Sequence, residues 1–184
     1  MDNLHDLFLT TQGRIARRQF WLGVVVLGVA AVIMAFIFAA LFGVPMFNAV
    51  GTGPVSQGNM AFDNEAILGS LRTAGWVSLV ITLIFAFPTA ALMIKRRHDR
   101  NRSGREVWLY IGIGLLIQLY LVQALGFSLQ MTPDGGLYLP MPSIINVVVG
   151  LAGLCLGLYL LVVCGFLSGS AGENSYGPDP HKGR

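Results

Sequence analysis

Four long runs without an Asp, Glu, Lys, Arg or His residue dictate what this chain can become. They cover about residues 20–42, 74–94, 107–127 and 144–167. A helix needs about 20 predominantly apolar residues to cross the hydrocarbon core of a bilayer. An isolated open strand leaves its backbone groups unsatisfied in lipid. The runs also lack the alternation of an outer-membrane barrel strand. The expected fold class is therefore all-α, a polytopic membrane protein of four transmembrane helices. The first run is too long for a secretory h-region of about 7–15 residues. A polar segment precedes it, so it is expected to be an uncleaved span.

Composition agrees. Of 184 residues, 54% are hydrophobic and 11% charged, whereas soluble domains carry roughly 25% charge. No linker-like stretch or fixed-period repeat divides the chain, so a single domain over residues 1–184 is expected. The net charge of +3 does not point to nucleic acid. The basic residues lie between apolar runs, where they set topology and meet anionic lipid.

Those basic residues also orient the chain. Arg14, Arg17 and Arg18 precede the first run, and Lys95, Arg96, Arg97, Arg100, Arg102 and Arg105 join the second to the third. Lys182 and Arg184 end the tail. Of the 12 Lys and Arg residues, only Arg72 falls on the opposite side. The positive-inside rule then places both termini in the cytoplasm. Residues 43–73 and 128–143 become outward loops. Phe20, Trp21, Trp76, Trp108 and Tyr110 near span ends match an aromatic belt.

Within the spans, Gly150, Gly153 and Gly157 offer small-residue packing, against Gly112, Gly23, Ala30, Ala31 or Ala35, or a face for a second copy. Pro88 frees the carbonyl of Ile84, which predicts a kink that Thr82 or Thr89 partly compensates. Gln118, Tyr120 and Gln123 make span three the most polar, for interhelical hydrogen bonds or a water-lined path. Cys155 and Cys164 lie nine residues apart, about two and a half helical turns. They point to opposite faces and cannot form a disulfide with each other.

The densest polar chemistry lies on the expected cytoplasmic side. Arg14, Arg17 and Arg18, three and four apart, share a helix face. Leu4, Leu7 and Phe8 upstream suit a small amphipathic surface helix. In the basic loop, Asp99, Asn101 and Ser103 are turn or cap candidates, and Gly104 suits positive φ. Asp99 is a partner for Arg14 or Arg17, and His98 with Asp99 is expected to tie the polar pieces together. The Gly- and Pro-rich tail is turn-like and expected to fold back on this loop, with Glu173 as counter-charge.

Three motifs stand in order around the spans: Gly13-Arg14-x-x-Arg17-x-x-Phe20-Trp21; Arg96, His98, Asp99, Arg102, Ser103 and Gly104; and Asn174-x-Tyr176-Gly177-Pro178-x-Pro180. Together they resemble the domain-of-unknown-function 805 family of bacterial inner-membrane proteins, over nearly the whole chain. The family usually carries Arg-Arg-Leu-His-Asp where this chain has Lys95 to Asp99, and aromatics where it has Arg105 and Glu106. The resemblance implies a location, the bacterial inner (plasma) membrane, and a multi-pass topology, but no biochemical activity.

The expected role is a non-enzymatic membrane component. Its candidate contact set is Arg14, Arg17, Arg18, Arg96, His98, Asp99, Arg102, Ser103 and Tyr176, facing anionic phospholipid headgroups, a partner membrane protein or a second copy. No catalytic set, metal site or cofactor is expected. A lone His-Asp pair falls short of the three protein ligands of catalytic zinc. The alternative is a small transporter or channel subunit acting as an oligomer, although ion pathways usually place ionisable residues inside the spans.

Overall fold

The computed structural model describes residues 4–42, 64–123, 127–131 and 138–180. The order is α1 (Leu4–Leu9), α2 (Arg17–Phe42), α3 (Asn64–Asp99), α4 (Arg105–Val122), β1 (Phe127–Met131), β2 (Tyr138–Pro142) and α5 (Ile144–Leu161). A wide π-turn over Val162–Phe166 extends α5. Among the described residues, four helices are long and apolar enough to cross a membrane: Arg17–Phe42, Arg72–Asp99, Arg105–Val122 and Ile144–Phe166.

Local chemistry sets the helix ends. Ala16 opens α2, and its N–H donates to the Gln19 side chain at 3.0 Å, half of a capping box. Gly104, at φ 68°, starts α4. It lies so close to the Ile94 backbone that a Cβ there would crowd it. Ser143 caps α5 by accepting from Asn146 N–H at 3.3 Å.

The helical fold class holds, with two refinements. First, α3 does not stop near Ile94 but runs on through Asp99, so Lys95 to Asp99 form its last turns instead of a loop. The turn is confined to residues 100–104, with Asn101 at positive φ. Second, part of the expected outward segment 128–143 forms an antiparallel hairpin, pairing Phe127 with Pro142 through to Met131 with Tyr138. The other expected outward segment, 43–73, lies mostly outside the described residues; from Asn64 on it belongs to α3.

Helix α3 is the hub, packing against α1, α2 and α4, while α5 lies on α4 and its π-turn meets α2 and α3. Close approaches use glycine: Gly23 against Leu92, Gly75 against Val122, Gly153 against Ile117. Of the expected small-residue stripe on α5, only Gly153 meets a neighbouring helix; Gly150 and Gly157 face open space. Gln118 donates to the Ser78 hydroxyl at 2.9 Å, an α4–α3 hydrogen bond. Thr82 donates to the Ser78 carbonyl, not to the Ile84 carbonyl that Pro88 frees. Cys155 is exposed and Cys164 buried, both free thiols.

Most large side chains of α2, α4 and α5 are exposed, among them Val25, Val29, Ile33, Leu109, Leu116, Leu151 and Leu158. An apolar exterior this extensive is an aggregation surface in water and a matched one in lipid. Burial concentrates at one end, where Ile15, Phe20, Leu92 and Cys164 form a core cluster.

Candidate functional site

At that end the chain builds a closed polar cap over the apolar cluster. Its centre is Asp99, at the last position of α3. One carboxylate oxygen, Oδ1, accepts from Arg14 Nε at 3.1 Å and Nη2 at 2.9 Å. The other, Oδ2, accepts from Arg96 Nη1 at 2.5 Å. The Arg14 and Asp99 side chains are 1% exposed and that of Arg96 0%.

Two guanidiniums on one carboxylate leave a net positive charge away from water. Carbonyl oxygens absorb it. Arg14 also donates to the carbonyls of Ser170, Gly172 and Gly177 at 2.9, 2.7 and 3.1 Å, which uses every donor of its fork. Arg96 donates to Cys164, Ile15 and Leu167 carbonyls at 2.8, 3.1 and 2.9 Å. Isolated ions in such a place cost several kcal/mol each; complete hydrogen bonding makes the arrangement tolerable.

The π-turn explains the supply of carbonyls. A helix end leaves its last carbonyls without intrahelical partners. Here Arg96 takes Cys164 and Leu167, Trp21 Nε1 donates to Gly165 at 3.2 Å, and Arg17 reaches Phe166 at 3.4 Å. Cations at a helix C-terminus also complement its dipole. Lys95 does the same for α1, donating to the carbonyls of Asp6 and of Leu7.

The tail closes the cap. Ser170 donates from its N–H and hydroxyl to the Asp99 carbonyl, at 2.8 and 3.0 Å. Asn174 donates to the His98 carbonyl and the Ser170 hydroxyl, both at 2.9 Å. Its side-chain oxygen accepts from Tyr176 N–H at 2.9 Å, which shapes the turn. Tyr176 stacks on His98, centroids 3.9 Å apart and 6° between planes. The His98 ring spans Gly13 and Ser103, with Nδ1 3.2 Å and Nε2 3.3 Å from their carbonyl oxygens. Its proton placement sets which contact is a donated bond.

The sequence-derived contact set thus divides. Arg14, Arg96, His98, Asp99 and Tyr176 meet in one network, joined by the Ser103 carbonyl. Arg14 and Arg96 point inward, so their charge is spent on the protein itself. Arg17, Arg18 and Arg102 are exposed. Of the two pairings expected for Asp99, Arg14 is realised and Arg17 is not, because Arg17 is turned to the end of α5. The tail folds back as expected, yet Glu173 is exposed and forms no ion pair among the described residues. Instead Asp179 accepts from Gly172 N–H at 2.9 Å. Helix α1 packs on the core cluster through Leu7 and Phe8.

Sequence reasoning missed Ser170, the crossing point of the network, and Gly169, where a Cβ would overlap the Asp99 carboxylate. The run Ser168-Gly169-Ser170 carried a signal, since small residues at a span end permit close approach. Its partner was legible only in three dimensions.

A family model described as protein of unknown function (DUF805) matches residues 8–178. The chain belongs to the DUF805 family. No curated protein and no solved structure matches it. In this DUF805 protein the three sequence motifs, far apart along the chain, converge in space. Gly13, Arg14, Arg96, His98, Asp99, Asn174, Tyr176 and Gly177 all contribute to the cap.

Proposed function

We propose that this DUF805 protein is a non-enzymatic component of a bacterial inner membrane, with both termini in the cytoplasm. Its basic face contacts anionic phospholipid headgroups or a partner membrane protein. One observation carries the reading: Arg17, Arg18 and Arg102 stay exposed around a buried, self-satisfied cap at the end of four apolar helices. The cap spends Arg14 and Arg96 on rigidity and leaves the outer cations for anionic partners. Each basic residue near an anionic surface is worth about 1 kcal/mol.

The test is lipid selectivity. The protein is reconstituted in phosphatidylcholine vesicles with trace spin-labelled phosphatidylglycerol or phosphatidylcholine, and the motionally restricted fraction is compared. Phosphatidylglycerol is expected to associate several-fold more strongly, and the combined Arg17→Gln, Arg18→Gln and Arg102→Gln variant to lose part of that preference. Equal association of both lipids with the parent protein overturns the reading.

A further inference from the structure

Between α3 and α4 runs an open groove of about 560 Å³, lined by Leu79, Leu83, Trp108, Leu109, Gly112 and Leu116 among other apolar residues. Its walls are almost entirely apolar, and Leu83, Leu109 and Leu116 are more than half exposed along it. Gly112 forms a gap in one wall, with nothing within 4 Å of where its Cβ would stand.

The direction of the groove along α4 matters most. Arg105, Leu109, Gly112, Leu116 and Leu119 recur every three or four residues, which puts them on one face of the helix. That face begins with Arg105 at the basic end and continues as apolar surface. Arg105 is exposed and forms no ion pair among the described residues, while its neighbour Glu106 is held by Arg97. From Trp108 to Leu119 the helix rises about 17 Å at about 1.5 Å per residue. One leaflet supplies about 15 Å of hydrocarbon, half of a core of about 30 Å. The groove is therefore one leaflet long, with a cation at the headgroup end and Trp108 where aromatic belts sit.

We propose that the α3–α4 groove is a binding site for an anionic phospholipid, with one acyl chain lying over Gly112 and the headgroup phosphate on Arg105. Apolar walls receive the chain, and the guanidinium receives the phosphate oxygens through charge-assisted hydrogen bonds. The proposal rests on the reading that the basic face meets anionic lipid, and adds to it one defined site, at Arg105, for one lipid class.

Trp108 is a built-in reporter. Its contribution to tryptophan fluorescence is isolated by subtracting the Trp108→Phe variant. Quenching is then followed in vesicles that contain chain-brominated phosphatidylglycerol or chain-brominated phosphatidylcholine. Brominated phosphatidylglycerol is expected to compete about fivefold more strongly for the Trp108 site, the preference that one basic residue near an anionic surface provides. Arg105→Gln should bring the ratio to about one in the same assay, the loss of that single contribution. Gly112→Leu places a side chain in the groove from a position whose Cβ meets nothing within 4 Å, and should reduce quenching by both lipids, at unchanged helix content.

A Trp108 signal that does not distinguish the two lipids, while the spin-label preference of the whole protein persists, overturns the groove and leaves the broader reading standing. Unchanged quenching in Gly112→Leu also overturns it, as it means the chain lies elsewhere. Loss of all phosphatidylglycerol preference in both assays removes both.

Discussion

Asp99 holds three chain segments that are far apart in sequence, and its removal is not a local event. Without its negative charge, Arg14 and Arg96 face each other out of water. Breaking a buried pair by removing one partner costs about 3–5 kcal/mol. Asp99→Asn is therefore expected to lower the thermal midpoint in detergent by on the order of 10 °C, at about 2–4 °C per kcal/mol. A midpoint within about 2 °C of the parent contradicts the account. Glycine gives a second test at this scale. Gly169→Ala drives a methyl into the Asp99 carboxylate, whereas Gly157→Ala points into open space on α5. The first should destabilise as Asp99→Asn does. The second should be neutral or slightly stabilising, since alanine in a helix is favoured over glycine by about 1 kcal/mol. Equal midpoints for the two alanine variants would show that the tail does not lie on Asp99.

At the scale of elements, the helix ends carry the specificity. Helix α5 starts on a serine cap and ends on side chains borrowed from α2 and α3. Ser143→Ala removes the hydroxyl that accepts from Asn146 N–H and should cost about 1 kcal/mol, measured by thermal unfolding. At the other end, Gly165 lies against the Trp21 ring, and an added Cβ would meet it. Gly165→Ala should separate the π-turn from α2. The readout is faster hydrogen exchange at residues 165–170, with α4 unaffected; uniform exchange across both would mean that the π-turn is not docked independently. The length of α3 has the same origin. Its last turns carry Lys95, Arg96 and His98, yet they remain helical because carbonyls from α1, the N-terminal segment and the π-turn receive those side chains.

For the whole molecule, the segment around Arg14, the end of α3 and the described part of the tail, residues 168–180, share one end. That follows from the hydrogen bonds linking Arg14 to the tail and to Asp99. Lys and Arg bias on one side of short loops orients a membrane protein, so a reporter fused after Arg184 should read as cytoplasmic. The same reporter inserted between β1 and β2 should read as outside. Both reporters on one side would contradict a crossing by Ile144–Phe166, the span that lies between them.

Sequence alone determined the four helices, their approximate spans and the gathering of charge toward one side. These follow from hydrophobic run length and charge placement, which act locally and leave one option in lipid. It also marked His98, Asp99, Arg14 and Tyr176 as a group, through motifs. What it left open was which cations are spent inside the protein and which remain outside. Arg14 and Arg17 look alike along the chain, three residues apart in one basic run. Only the tertiary structure separates them, because burial depends on where carbonyls from residues 164–177 come to lie. That position is set by the turn at the end of α5 and the close approach that Gly169 allows, both long-range in sequence. Exposed charge pays almost nothing for its solvation, whereas buried charge persists only where acceptors from several segments arrive together.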